Sequence, residues 1–330
     1  MTDPGMKCTR CRGPARHRFP CHHVHFCDDC LDVFFQRQTA KALKEFAMLT
    51  PGQPVLVAIS GGKDSLALWK VLLDLGHPAE GLHLELGLGD FGQASLEASQ
   101  EMARRLDRPL HVFHLPTLAG HEIAEVVRAN RRQFCSVCGT LKRYYLNRLT
   151  LALGFEVLAT GHQLDDEAGR LLGNMLHRHQ NYLDAQWPVL AASGAGFAKK
   201  IKPLCRLSGP EIMAYALTHE LPVAQGKCPK SKGATLPYYQ EAMRYLEEKM
   251  PGTMSDFYLC FLRAKDGPPA APLPEQRCPS CGQPTLSDDL CTTCRLLATT
   301  AQKKAENPAA WLPEAERPPR PRRARPEPPA

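Results

Sequence analysis

A chain of 330 residues with 43% hydrophobic content can bury an α/β core of about 200 residues and still carry small appended modules. It has no run approaching the roughly 18 consecutive apolar residues of a membrane helix, and residues 1–10 carry no apolar signal region, so a cytoplasmic protein is expected. The formal net charge is +7, which suits a polyanionic partner as well as it suits ordinary surface lysines.

Fourteen cysteines, mostly in C-x-x-C pairs, argue in a reducing compartment for metal rather than disulfides. Cys8 and Cys11 form the first pair, and Cys27 and Cys30 the second. Two such knuckles can set four thiolates tetrahedrally round one Zn²⁺ in a ribbon too small to fold without metal. Cys21, His22, His23 and His25 lie between the pairs and could replace one thiolate; surface residues beside a four-cysteine zinc are the simpler reading. Apolar spacing at Leu31, Phe34, Phe35, Leu43 and Phe46 then predicts a helix to about Met48, stopped before Pro51 and Pro54.

Val55 to Ile59 is an apolar run that halts at Ser60-Gly61-Gly62-Lys63-Asp64-Ser65 and resumes as a helical pattern from Leu66 to Trp69. The pattern predicts a buried parallel strand, a tight turn and a helix N-terminus. The glycines let the backbone turn sharply and approach an anion. Free N–H groups of the first helical turn, the hydroxyls of Ser60 and Ser65, and the charge of Lys63 point into the same concavity. The spacing fits neither G-x-x-x-x-G-K-[ST] nor G-x-G-x-x-G.

Residues 81–86 and 110–115 read as strands, separated by an amphipathic helix over about 94–106. Strand and helix alternate, which predicts an α/β fold with a doubly wound, Rossmann-like parallel sheet. His83, His111 and His114 sit in these strands as satisfied core or sheet-edge groups. Cys135 and Cys138 share the first turn of the next predicted helix, where N–H groups and the helix dipole favour thiolate. A third cysteine, Cys228, stands far along the chain among Lys227, Lys230 and Lys232. Three thiolates can bind three irons of a [4Fe–4S] cluster and leave the fourth open for a sulfide; a further zinc site or buried apolar thiols are the alternatives.

Residues 155–158 predict another strand, which runs through Gly161, His162 and Gln163 into a helix opened by Asp165 and Asp166. This turn is expected to face the same crevice as the glycine turn. Its acidic residues can hold Mg²⁺ or move protons, and one of the pair is expected to cap the helix. Lys199, Lys200 and Lys202, with the Lys227 group, are candidates for phosphate contacts or ordinary charged surface. Cys205 and Cys260 are read as structural. Cys278, Cys281, Cys291 and Cys294 repeat the ribbon pattern. The expected division is a zinc ribbon over 1–32, a catalytic domain over 33–265, a second ribbon over 275–296, and a disordered Pro/Arg-rich tail over 297–330.

The Ser60–Ser65 run after a buried strand resembles the PP-loop of ATP pyrophosphatases, enzymes that adenylate a carbonyl-type oxygen and release pyrophosphate. With the Cys135/Cys138 pair, the distant Cys228 and a ribbon at each end, the chain resembles the TtuA-type tRNA 2-thiouridine synthases and the related cytosolic wobble-uridine thiolases over residues 7–296. The resemblance implies an ATP-dependent tRNA thiolase in which Cys135, Cys138 and Cys228 hold a [4Fe–4S] cluster and Lys142 and Asp166 are catalytic. It carries nucleotide binding to Ala58, Ser60, Gly61, Gly62, Lys63, Asp64, Ser65, Gly161 and His162. The implied cofactors are ATP, Mg²⁺, the cluster and two Zn²⁺. The implied partners are tRNA and a sulfur donor, either sulfide or a thiocarboxylated ubiquitin-like or persulfide carrier protein, with a homodimer as the assembly. The family usually shows Asn where this chain has Gln163, so no role is carried over to that side chain. A 2-thiocytidine synthase, a lysidine-type synthetase and a non-catalytic zinc-ribbon RNA-binding protein are the rivals. The paired ribbons, the three cluster cysteines, and the intact loop with its acidic pair speak against these in turn. The target uridine, in the T-loop or at the wobble position, is left open.

Overall fold

The computed structural model describes residues 5–192, 196–226, 228–265, 267–268, 276–307 and 311. A hairpin of β1 (His17–Phe19) and β2 (Val24–Phe26) leads into α1 (Asp28–Glu45). Then follow β3 (Val55–Ile59), α2 (Lys63–Asp74), β4 (Ala79–Glu85), α3 (Asp90–Leu106) and β5 (Leu110–His114). Three helices, α4 (Leu115–Ala119), α5 (Ile123–Asn130) and α6 (Phe134–Ala152), precede β6 (Val157–Thr160). The core continues with α7 (Leu164–Leu176), α8 (Gln180–Ala185), β7 (Val189–Leu190), β8 (Lys199–Ile201) and α9 (Gly209–Thr218). The remaining elements are α10 (Leu236–Lys249), α11 (Thr253–Arg263), a short ladder of β9 (Gln276–Arg277) and β10 (Pro284–Thr285), and α12 (Thr292–Glu306).

The six-stranded sheet runs β5-β4-β3-β6-β8-β7. Its residues alternate between two apolar layers, as the two-residue period of a strand requires. Val55, Val57 and Ile59 of β3 join the layer containing Trp69, Ile212 and Tyr258, whereas Leu56 joins the layer containing Leu141, Tyr145 and Val126. Burying each large side chain contributes about 1.5–3 kcal/mol. The chain winds outward from β3 to β4 and β5, then crosses back to β6. The switch point therefore lies between the C-terminal ends of β3 and β6, where open α/β sheets bind ligands.

Two expectations about architecture are corrected. The sheet is not wholly parallel: β7 pairs antiparallel with β8, Val189 opposite Ile201 and Leu190 opposite Lys200. No helix separates these strands among the described residues, and without a crossover the chain can only return antiparallel. The tail was expected to begin at 297, yet α12 continues to Glu306. It docks on α5 and α6 through buried Leu296, with Asn130 Nδ2 donating to Leu296 O at 3.1 Å, Lys303 Nζ to Ala129 O at 2.6 Å, and Lys304 pairing with Glu125 at 2.7 Å. Burial along one helix face supplies what the polar composition alone did not indicate. The rest of the expected tail, apart from residues 307 and 311, lies outside the described residues. No helix among the described residues is long and apolar enough to cross a membrane.

Candidate active site

The glycine turn is pinned by its own backbone. Gly61 has φ +73°, and a Cβ there would lie 2.5 Å from Ser95 O, so only glycine fits. Ala224 N donates to Gly61 O at 2.9 Å from the far side. Ser60 N donates to Ser65 Oγ at 3.1 Å, Ser65 Oγ donates to Gly62 O at 3.0 Å, and the two serine hydroxyls stand 3.2 Å apart. Helix α2 starts at Lys63 with no side-chain cap. Its first-turn N–H groups are thus directed out of the loop, where an anion can accept from them. Lys63 pairs with Asp64 at the rim. Ala58 lies in β3, in register with Thr160 of β6.

Gly161 follows β6 directly and abuts this loop: a Cβ there would sit 2.9 Å from Ser65 N and 3.0 Å from Asp64 C. His162 Nδ1 contacts Thr160 Oγ1 at 2.9 Å. Burial, with Lys202 nearby, drives His162 down to about 4, so the ring is neutral at physiological pH. Gln163 is the N-cap of α7, accepting from Asp165 N at 2.7 Å. The side chain with no expected role thus fixes the start of the helix. Asp166 completes the capping box by accepting from Gln163 N at 3.2 Å, while its other oxygen accepts from Gln240 Nε2 at 2.8 Å. Burial pushes Asp166 up to about 6, with the carboxylates of Asp64 and Glu167 adding to the rise. Asp165 points away, accepting from Gly209 N at 2.8 Å. Capping and a poised carboxylate therefore coincide in Asp166.

A buried ion pair that the sequence reading missed lies beneath these groups. Glu167 is fully buried and accepts from Lys202 Nζ at 2.7 Å. Burial opposes its charge, yet Lys202 and Arg170 hold it below the usual carboxylate range. Lys202 was grouped with Lys199 and Lys200 as a candidate phosphate contact or ordinary charged surface, but it is committed to Glu167, and Lys199 Nζ donates to Ala47 O at 2.7 Å. An acid after Asp165-Asp166 was visible in the sequence, but its partner 35 residues away was not. Lys230 and Lys232 are exposed, and Lys227 lies outside the described residues.

Cys135 and Cys138 occupy the first turns of α6, as spaced. Cys135 Sγ donates to Lys230 O at 3.6 Å, which brings the Cys228 segment against this helix. Burial pushes the Cys138 thiol up, with Cys228 and Cys135 contributing, and Lys142 pulls it down. Lys142 is exposed on α6, one turn beyond Cys138. Among the described residues the three sulfurs are spaced more loosely than the tetrahedral sets below. Their all-sulfur donor set fits a [4Fe–4S] cluster, which spans more space than one ion. Of the two cysteines read as structural, Cys205 is buried and Cys260 is exposed on α11.

Each ribbon gathers four sulfurs within 4.8 Å: Cys8, Cys11, Cys27 and Cys30 in the first, Cys278, Cys281, Cys291 and Cys294 in the second. Burial opposes the thiolates, but backbone N–H groups bring Cys8 and Cys278 down to about 6 each. Cys21 and His22 do not join the first set. Both sets suit a tetrahedral Zn²⁺.

A PP-loop domain model matches residues 31–226. The chain is 35% identical to tRNA-5-methyluridine(54) 2-sulfurtransferase of Thermotoga maritima, covering 92% of this chain and 100% of that one. It is 39% identical to the protein of the same name from Thermus thermophilus, covering 88% and 91%. Its fold is similar to that of a solved structure of U34-tRNA thiolase NcsA from Methanococcus maripaludis with its [4Fe–4S] cluster, at TM-score 0.71 and 24% identity, covering 78% of this chain and 87% of that one. With a glycine turn at the switch point of a mostly parallel sheet, the chain belongs to the PP-loop family and, within it, to the tRNA 2-sulfurtransferases.

Proposed function

We propose that this enzyme replaces O2 of the T-loop uridine of tRNA, position 54, with sulfur at the expense of ATP. The proposal rests above all on one observation: Gly161, which leads into the helix carrying Asp166, is packed directly against Asp64 and Ser65 of the glycine turn. Position 54 is favoured over position 34 because the relatives named for position 54 share 35% and 39% identity over most of the chain, whereas the U34 thiolase shares 24%.

In this reading the ATP phosphates lie on the Gly61–Ser65 turn, with Lys63 offsetting their charge and Asp64 as the residue that would present an oxygen to Mg²⁺. Uridine O2 attacks the α-phosphorus and pyrophosphate leaves, which converts a poor leaving oxygen into AMP. Sulfur then bonds to C2 and the C2–O bond breaks, releasing AMP. Asp166, poised at about 6, accepts the proton that the base gives up. Lys142 stabilises the negative charge that gathers as sulfur adds. Neutral His162 faces the nucleotide without adding charge. A [4Fe–4S] cluster held by Cys135, Cys138 and Cys228 supplies, when bound, an iron with an open position for sulfide. The sulfur comes from sulfide itself, from a thiocarboxylated carrier whose C–S bond is hydrolysed to return the carboxylate, or from a persulfide carrier whose S–S bond a second thiol reduces, that thiol and the carrier cysteine leaving as a disulfide. The ribbons hold Zn²⁺, exposed Lys230 and Lys232 contact tRNA phosphates, and the enzyme acts in the cytoplasm as a homodimer.

The test is anaerobic thiolation of unmodified tRNA with ATP and sulfide, read by nucleoside mass spectrometry mapped to position. We expect sulfur at position 54, no product from Asp166→Asn, and roughly four irons per chain that Cys228→Ala loses. Sulfur at position 34, or no iron in anaerobic preparations, would overturn the corresponding part.

A further inference from the structure

The first ribbon turns two of its polar side chains away from its own tetrahedral set. Cys21 and His22 form a separate group with Glu211 of α9, the three ligand atoms lying within 4.8 Å of one another. A 3-10 turn over Pro20–His22 presents them. His23, at φ +52°, closes it by donating its N–H to Pro20 O at 3.0 Å. The turn is seated against the body of the protein, since a Cβ on Gly252, between α10 and α11, would lie 3.7 Å from Cys21 O.

Glu211 comes 189 residues after His22 in sequence, and its side chain is 1% exposed. Ser208 N and Oγ donate to Glu211 Oε2 at 2.6 and 2.8 Å, which fixes the carboxylate. Its Oε1 is left facing His22 Nε2 at 2.6 Å. An oriented carboxylate beside an imidazole alone would be a buried ion pair. The thiol of Cys21 at the same point completes a sulfur, nitrogen and oxygen donor set, which suits a borderline-soft divalent ion.

We infer that Cys21 Sγ, His22 Nε2 and Glu211 Oε1 form a third metal site, which takes Zn²⁺ and ties the first ribbon to α9. Donors about 2.1 Å from a tetrahedral ion stand about 3.4 Å apart. The His22–Glu211 contact opens by under about 1 Å to admit the ion, and Cys21 closes on it, both within the reach of side-chain rotation. Water fills the fourth position. With three protein ligands this site holds zinc less tightly than either four-cysteine set. Helix α9 packs on α2, the helix that leaves the phosphate loop, through Ile212 and Tyr215. The ion therefore fixes the ribbon to the layer that supports the crevice.

The experiment reads metal content and is independent of thiolation, so its failure leaves the proposed function standing. Cluster-reconstituted wild type, Cys21→Ser and His22→Gln are equilibrated anaerobically with excess Zn²⁺, desalted, and assayed for zinc per chain. We expect each variant to hold one equivalent less than wild type with unchanged far-ultraviolet circular dichroism. A graded chelator titration of wild type alone should release one equivalent before the rest. Equal zinc in wild type and both variants, or release from wild type with no early equivalent, would overturn the inference.

Discussion

Gly161 offers a direct test of how closely the phosphate loop is held against β6. A methyl group there would meet Ser65 N at 2.9 Å, Asp64 C at 3.0 Å and Ser65 Cα at 3.1 Å, all backbone atoms, where ordinary contact is 3.4–4 Å. Relief requires the loop and the strand end to part by about half an ångström. The loop has little freedom to comply. Gly61 rests on Ser95, its carbonyl is held by Ala224 N, and Ser60 N is tied to Ser65 Oγ. Overpacking of this kind costs about 1–3 kcal/mol of stability. Displacing a group by about 1 Å can cost about 100-fold in rate. We therefore expect Gly161→Ala to fold, to lose about 1–3 kcal/mol in urea unfolding, and to lose about 10- to 100-fold in kcat/KM for pyrophosphate release from ATP with tRNA present. Gly62→Ala supplies the contrast, because Gly62 has φ −84° and its nearest obstacle is the Ser60 hydroxyl at 3.5 Å. The fold admits that methyl group, so any loss there reports the phosphates. A Gly161→Ala enzyme with stability and kcat/KM within twofold of wild type would refute the close apposition of α2 and β6.

Lys202→Met strands the charge of Glu167 in the core and should cost about 3–5 kcal/mol, while a Lys202→Met/Glu167→Leu double variant should recover much of it; a double variant no more stable than the single would refute the pairing. Asp166 has a folded pKa of about 6 against a reference value of 3.8, so the folded state holds its proton more tightly. Its contribution to stability therefore falls as pH rises from about 4 to about 6 and stays low above that. Relative to wild type, Asp166→Asn should gain up to about 3 kcal/mol between pH 4 and pH 7 in nucleotide-free, magnesium-free urea titrations; parallel curves would sink the assignment. Chelating the Zn²⁺ proposed for the second ribbon should abolish amide-exchange protection over 276–291 while β3 stays protected, because the ribbon has little core of its own. Equal loss in both regions would contradict this.

The phosphate loop, both four-cysteine ribbons and the α/β alternation were legible in the sequence because each is decided within a few residues. Gly-Gly before a helix makes its own anion cradle, C-x-x-C sets the sulfur spacing, and an apolar run between turns declares a buried strand. The sequence also marked Asp165 and Asp166 as metal-holding or proton-moving acids of which one would cap the helix, without saying that Gln163 would be the cap and Asp166 its partner. Longer-range pairings had no such local signal. Nothing near β7 announced that it would return antiparallel, and the polar composition after 296 concealed the Leu296 face on which α12 docks. Lys202 read as a phosphate contact or charged surface until Glu167 met it, and Cys21 and His22 read as surface residues beside the first ribbon's four cysteines until α9 brought Glu211 to them. Backbone geometry and residue chemistry thus fixed what each motif could do, whereas tertiary packing alone decided which distant charges and ligands would share a site, since those energies arise only when separate elements exclude water together.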